Sequence, residues 1–423
     1  MNKILAITKN KNVLWNVIGI SINSFYSLFL VIFITRFNGI DASGQFSFAF
    51  YIASMFQTIG NYGGRIFQVS DYNEKYEDRT YVSLKMVTGI IMLIVSIIFC
   101  IINGYDIIKM SLIMIFILYR FVESFSDSLY GILQKHDNLA AVGKSLTIKV
   151  TISLVIFFIL DFIFKNVVIS SLGFVIGFTL ILFIYDIPLS RKYSEIGICF
   201  KPELLKLLKE SFLVFTFSFL SIMILNITRY IVDMKLTNEI QGYFSILIMP
   251  SSLIALSTQF VVQPMIKTLS DKYNLHGIKK FVKDVNIMMM GVSGFGLLCC
   301  LITYFIGVDI LSIVYGINFM NYRFSLTFMI MAGIFSGLST MLSTVLTIMR
   351  KLNMQFVGYV LSTLISLIVS FSIIVMYNNL NAALFAYLIC MCCQFLIMLC
   401  IYFIQIHNAH KDRSILEEKY NEA

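Results

Sequence analysis

Apolar residues run through this chain in stretches too long for the core of a small soluble domain and too continuous for the alternation of a half-buried strand. Twelve such stretches recur, at approximately 13–35, 44–70, 82–102, 107–133, 139–160, 166–188, 211–235, 240–266, 285–306, 324–348, 354–376 and 380–405. Each reaches the roughly 20 residues that a helix rising 1.5 Å per residue needs to cross a hydrocarbon layer about 30 Å thick. The pattern predicts an all-α polytopic membrane protein. Connections on one side are short, the longest lying between Gly307 and Arg323, so no separate domain is expected there.

Six spans lie on either side of RKYSEIGICFKPELLKLLKE (Arg191 to Glu210), and a faint repeat supports that division. DASGQFSFAFYIAS (Asp41 to Ser54) opens the second span and EIQGYFSILIMPSS (Glu239 to Ser252) the eighth; both read acidic-x-x-Gly-x-Phe-Ser. An even number of spans lets both halves face the same way, with a pseudo-two-fold axis along the membrane normal and a cavity expected between them. The predicted organisation is a six-helix lobe over 1–190, a cytoplasmic linker over 191–210, a second six-helix lobe over 211–406 and a cytoplasmic tail over 407–423. Pro202 suits the first turn of an amphipathic surface helix in the linker. Pro250 and Pro264 in span eight, and GNYGGR (Gly60 to Arg65) near the end of span two, mark places where a helix can bend.

Composition agrees with the pattern. Of 423 residues 58% are hydrophobic and 13% charged, with a mean hydropathy of +0.86, too little charge to cover a soluble surface of that size. The net charge of +9 is distributed by topology. With both termini in the cytoplasm, and Lys85, Lys109, Lys144 and Lys235 near span ends counted with the loops they adjoin, 23 Lys and Arg fall on the cytoplasmic side and 5 on the external side, as the positive-inside rule requires. Anionic membrane lipids, not nucleic acid, are therefore the expected partners of the basic loops. The first apolar run follows Lys3, Lys9 and Lys11; it is too long for a signal-peptide core and predicts a retained first span. Eight cysteines, four of them within Cys390 to Cys400, have no histidine cluster beside them, so they read as apolar filler with no metal.

Charge inside the spans changes the picture most. An ionised side chain at mid-bilayer costs at least ~2.5–3.5 kcal/mol unless it meets water or a partner. In span four, Arg120, Glu123 and Asp127 are spaced by three and four and share one helix face. Lys149, near the middle of span five, is the candidate cation from another span for Asp127. Arg229 and Asp233 stand one turn apart in span seven, and Arg65 stands alone in span two. One reading is structural: Arg120–Glu123, Lys149–Asp127 and Arg229–Asp233 pair, and Arg65 snorkels to the interface. The other is a polar lumen whose cations bind an anionic headgroup, arginine's planar fork suiting phosphate. Glu123, Asp127 or Asp233 would then take up a proton or sodium ion as coupling ion. There is no phosphate-cradling Gly-rich loop followed by Lys and Ser/Thr, no HExxH and no nucleophile elbow. Transport powered by a gradient or by mass action is expected rather than catalysis, with no cofactor.

Four stretches carry a family resemblance: GGRIFQVSDYNEKY (Gly63 to Tyr76), YRFVESFSDSLYGILQKHDNLAAVGKS (Tyr119 to Ser145), RYIVDMKLTNEIQGYFSILIMP (Arg229 to Pro250) and VYGINF (Val314 to Phe319). The chain resembles the Wzx-type polysaccharide flippases of the multidrug/oligosaccharidyl-lipid/polysaccharide (MOP) exporter superfamily, over essentially all twelve spans. The resemblance implies a multi-pass protein of the bacterial cytoplasmic membrane with two six-helix lobes. It would carry undecaprenyl-diphosphate-linked oligosaccharide repeat units to the outer leaflet by alternating access, for O-antigen or capsule. A polysaccharide polymerase and a chain-length regulator are the further partners it implies. Arg65, Arg120, Lys149 and Arg229 become diphosphate candidates. The related lipid II flippases place a cation in the first span, where this chain has Asn16, Ser21, Asn23 and Ser24; Asn16 and Asn23 are instead candidates for glycan contact. A MATE-like drug or small-solute antiporter of the same superfamily is the alternative, since a fold does not fix its cargo. A membrane-bound polymerase or acyltransferase is a third reading.

Overall fold

The computed structural model describes residues 2–69, 71, 75–273 and 277–421, with side chains for 12, 14–63, 65, 67–69, 71, 75–273 and 277–409. The side chains of Lys3, Lys9 and Lys11, residues Tyr72 to Glu74 of the second quoted loop, and the tail side chains beyond residue 409 lie outside that description. Every regular element among the described residues is helical. Ten helices, some of them joined pairs, are long and apolar enough to cross a membrane, and the protein is multi-pass. Two further helices reach membrane length but are too polar to count by composition: α2 and α5, defined below. They bury that polarity against each other. By contact the chain divides into two compact units, Met1–Ile222 and Met223–Ala423.

The first unit contains α1 (Asn2–Phe37), α2 (Ile40–Asn61), the short α3 (Gly64–Val69), α4 (Asp78–Asn103), α5 (Ile107–Lys135) and α6 (Leu139–Phe164). It continues through α7 (Val167–Ile181), a π-helical turn (Leu182–Asp186), α8 (Ile187–Ser190) and the first part of α9 (Pro202–Lys235). Helix α5 is its hub, packed against α2, α3, α4, α6, α7 and α8. Around it interlock the buried rings of Phe46, Phe50, Phe116, Tyr119, Phe174 and Phe178. Helices α1 and α6 meet backbone to backbone at Gly19 and Gly143, because lipid supplies no hydrophobic drive for helix pairing and close van der Waals approach must.

The linker differs from expectation. Pro202 does start a helix, but that helix is α9, which runs unbroken for 34 residues. One face of its first turns packs on protein. Leu204 and Leu207 pack into Tyr76, Tyr81 and Leu84, while Lys201 bonds Glu77 at 3.0 Å and Glu210 accepts from Lys75 at 2.5 Å. An amphipathic face with a protein partner has no need of a membrane surface.

The second unit holds the rest of α9, then α10 (Asn238–Asp271), α11 (Ile278–Ile302), α12 (Val308–Tyr315), α13 (Arg323–Ile348), α14 (Leu352–Tyr377) and α15 (Leu380–Asn421). Here α13 is the hub, packed against α10, α11, α14 and α15. Helix α10 continues through both Pro250 and Pro264, whereas the chain does break at GNYGGR, where α2 ends and α3 begins.

Local structure supports the repeat. Left-handed residues Asp137 and Lys165 end α5 and α6, and Arg350 and Asn378 stand at the matching ends of α13 and α14. Tyr130 of α5 and Ser145 of α6 share a hydrogen bond at 2.8 Å; Ser343 of α13 and Tyr359 of α14 share one of the same length with the partners exchanged.

A Cβ at Gly143 would lie 2.0 Å from the Trp15 carbonyl oxygen and 2.6 Å from the Asn16 nitrogen, both backbone atoms that cannot swing away. Gly143→Ala is expected to destabilise the first unit by about 1–3 kcal/mol. Gly291→Ala, with nothing near its Cβ position, is the matched control. Size-exclusion recovery of detergent-purified protein after stepped heating measures the difference.

Candidate functional site

Helix α2 stops where Tyr62 (φ 30) and Gly63 (φ 88) take left-handed conformations. Glycine is required at the second position on two counts, since a Cβ there would also come within 2.9 Å of the Ser211 side chain. A helix interrupted inside a membrane exposes carbonyls and N–H groups that lipid cannot satisfy. Three side chains satisfy them. Thr88 of α4 donates to the Gly60 oxygen at 2.9 Å, Lys85 of α4 donates to the Asn61 oxygen, and Asp127 of α5 accepts from the Arg65 N–H at 3.1 Å. Lys85 Nζ also stands 3.7 Å from Asp127 Oδ2, and Arg65 Nε 3.8 Å from Asp127 Oδ1.

Two expectations change at this point. Lys85 was counted among the cytoplasmic basic residues; it is 3% exposed, held inside by the carbonyl that the broken helix leaves open. Arg65 does not snorkel alone: it belongs to α3 and pairs with Asp127, about three-quarters buried. Asp127 thus has two cations, neither of them Lys149.

About two turns back along α5, Arg120 donates to Glu123 Oε2 at 2.6 Å and to Ser54 Oγ at 2.6 Å, and Gln57 donates to the same Glu123 oxygen at 2.8 Å. The guanidinium lies over Phe50 and Tyr119, 4.6 and 5.0 Å from their ring centres. Tyr119 is itself fixed by a 2.7 Å hydrogen bond from Tyr26 of α1. The predicted Arg120–Glu123 pair is present, sandwiched between aromatic faces.

Lys149 is placed otherwise than expected. It is fully buried, and its ammonium pairs with Asp186 and donates to Ser126 at 2.7 Å. Phe178 and Tyr130 lie 4.7 and 5.3 Å from it. Asp186 closes the π-helical turn, also fully buried, and accepts from Ser145. The Lys149–Asp127 pairing is corrected to Lys149–Asp186. A π turn carries one residue more than an α turn, and the acid sits at its last position, buried in the unit. Both side chains of the pair are shut off from the surface.

Arg229 is buried in the part of α9 that belongs to the second unit, with Asp233 one turn further on, half-buried. The neighbouring Thr228 shares a 2.9 Å hydrogen bond with Ser370 of α14. Asn16 and Asn23 are half-buried on α1, each with an enclosed amide oxygen that has no hydrogen-bond partner among the described residues.

Charge separates the three groupings of the first unit. Arg120–Glu123 and Lys149–Asp186 are each balanced. Arg65, Lys85 and Asp127 carry two positive charges against one negative. Excess positive charge, the property an anion would detect, sits at the α2–α3 break.

Breaking a buried ion pair on one side leaves the other charge stranded, at about 3–5 kcal/mol. Lys149→Met alone is expected to lose most folded protein, whereas Lys149→Met with Asp186→Leu should recover much of it. Membrane-fraction yield and thermal recovery of the single and double variants check this.

No family model matches the chain. Over 366 residues, 84% of this chain and 89% of the relative, it is 26% identical to the capsular polysaccharide biosynthesis protein CapF of Staphylococcus aureus. Its fold matches an inward-facing multidrug resistance MATE transporter of the MOP superfamily with a TM-score of 0.72, at 10% identity over 94% of this chain and 99% of that one. It also matches the lipid II flippase MurJ in an inward closed conformation, with a TM-score of 0.70 at 17% identity over 92% and 87%. The all-helical fold of this chain is the one these two solved structures share. Two different lines thus bear on the resemblance read from the sequence: a fold shared with solved membrane transporters, and a sequence relative named for capsular polysaccharide biosynthesis.

Proposed function

We propose that this protein is a flippase of the bacterial cytoplasmic membrane, moving undecaprenyl-diphosphate-linked oligosaccharide repeat units to the outer leaflet for capsule or O-antigen. The observation that carries the reading is the similarity to a capsular polysaccharide biosynthesis protein along most of both chains. The shared fold with a flippase named for another lipid-linked cargo adds to it.

Physical chemistry assigns the parts. A polyprenyl tail is at home in lipid, but the diphosphate needs cations within the membrane. Arg65 and Lys85, in excess over Asp127, are the proposed diphosphate contacts. Arg120 joins them when Glu123 is neutralised by a proton, which makes Glu123 the proposed coupling acid, with sodium as the other ion considered. Arg229 and Asp233 are proposed to serve in the same way from the second unit. Lys149, enclosed with Asp186, has only a structural part. A MATE-like drug or small-solute antiporter is the second reading, favoured by the fold match to the MATE transporter.

Deletion of the gene is expected to leave lipid-linked repeat units intact but inaccessible to reagents at the outer leaflet. Losing a charge-assisted hydrogen bond is worth roughly 1.5–3 kcal/mol, about tenfold or more in binding. Complementation with Arg65→Gln should therefore restore outer-leaflet units at least about tenfold less well than the native gene, at equal protein level. Drug sensitivity with unaltered surface glycan would favour the antiporter, and glycan elongation by the purified protein would defeat both transport readings.

A further inference from the structure

A cavity of about 380 Å³ opens in the second unit, where α9 turns into α10 and α14 into α15. Its volume lies in the range of small-molecule sites. The lining joins two aromatic rings, Tyr243 and Tyr322, to Glu239, Asn378, Asn379 and Asn381. The rings are set by the fold. Tyr243 stands edge-on to the fully buried Phe319 with centroids 5.7 Å apart, and Tyr322, held in the 3-10 turn Met320–Tyr322, is tilted against Tyr243 at 5.8 Å.

The amides are set as well. Asn379 accepts from the Ala382 N–H at 2.8 Å and donates to the Tyr377 oxygen at 3.1 Å, while Asn381 accepts from Ser325 at 3.0 Å. Asn378 holds the left-handed position that ends α14. These bonds spend two amide oxygens on positioning. The Asn381 NH2 group, the Asn378 amide, the Glu239 carboxylate and both tyrosine hydroxyls keep no hydrogen-bond partner among the described residues.

The first unit has its counterpart, a cavity of about 400 Å³ at the α1–α2 and α6–α7 turns. There Gln45 and Lys165 occupy the places of Tyr243 and Asn378, beside Ile108 and Leu112. The hollow is thus a product of the repeat. Amides line both hollows, Asn38, Gln45 and Asn166 in the first, where Phe37 adds one ring; what sets the second apart is its facing pair of tyrosine rings and a lining without Lys or Arg.

Rings flanked by donors and acceptors fit the two-sided chemistry of a pyranose, whose C–H face packs on an aromatic surface while its edge hydroxyls hydrogen-bond. Phosphate would meet Glu239 with no Lys or Arg in the lining, and an acyl chain would leave the amides unpaired. We propose that this cavity is a saccharide subsite that holds an uncharged pyranose unit of the transported glycan against Tyr243 and Tyr322. The positive-inside count puts it at the external end, where a delivered glycan emerges. The proposal rests on the flippase reading for the glycan that reaches it.

The test is saturation-transfer-difference NMR on the full-length protein in nanodiscs. The probe is the oligosaccharide released by mild acid from the lipid-linked pool of the source cells, free of lipid and phosphate. Transfer to its ring protons is expected, falling at least about fivefold in Tyr322→Ala and in Asn381→Ala and persisting in Tyr322→Phe and in Gln45→Ala of the counterpart cavity. Size-exclusion profiles establish that each variant is folded. Absence of transfer, or transfer unchanged in both alanine variants, overturns the subsite. So does transfer to tetraphenylphosphonium that depends on Tyr322 while the glycan gives none, which would assign the cavity to organic cations. Leaflet accessibility is scored separately: a protein that flips repeat units without binding free glycan loses this proposal alone, and one that binds glycan here without flipping loses the flippase reading alone.

Discussion

Lipid offers a backbone nothing to hydrogen-bond with, and the α2–α3 break is where this protein meets that constraint most directly. Each unsatisfied N–H or carbonyl in hydrocarbon costs several kcal/mol. Thr88, Lys85 and Asp127 together cover the open ends, and Asp127 ties the two cations to α5. The other charged groupings also use α5, which contributes Arg120 and Glu123 to one and Ser126 and Tyr130 to the surroundings of Lys149. A helix with so many polar positions cannot face lipid. It becomes the hub of its unit because its polar positions turn to protein, while its exposed positions, such as Leu118, are apolar; α2 packs against it.

The hub of the second unit solves a different problem. Helix α13 approaches α10 through Gly333 and Gly337, whose missing Cβ atoms would stand 2.6 Å from the Ser251 oxygen and 2.4 Å from Thr258 Oγ1. Small residues and hydroxyls do there what ion pairs do around α5. Turns, left-handed caps and the exchanged Tyr–Ser hydrogen bond show one frame used twice. Arg120, Glu123 and Asp127 show that the charge chemistry of the central helix was placed in one copy only.

What was legible in the sequence follows the range of the interactions. Apolar runs report helices because burial in lipid is decided residue by residue. Arg120–Glu123 was legible since three residues along a helix fix the geometry. Lys149–Asp186 was not: its partners come from different helices, and a π turn that no local propensity announces delivers the acid. Lys85 lies close to the start of its span, where counting by topology assigns it to water, and only the open carbonyl of Asn61 explains its burial. The start of α9 shows another limit, because an amphipathic stretch reads the same whether its apolar face meets a membrane or, as here, Tyr76 and Tyr81.

Neutral pairing also constrains how an anionic cargo would be handled under the proposed function. Arg120 already holds a carboxylate at 2.6 Å, so a diphosphate arriving there would have to displace Glu123. Two unit charges about 4 Å apart interact by roughly 4 kcal/mol at an effective dielectric of 20. No such displacement is needed at Arg65 and Lys85, whose positive charge exceeds that of Asp127. First attraction at the helix break, followed by release of Arg120 on proton uptake, is the sequence of events these charges allow.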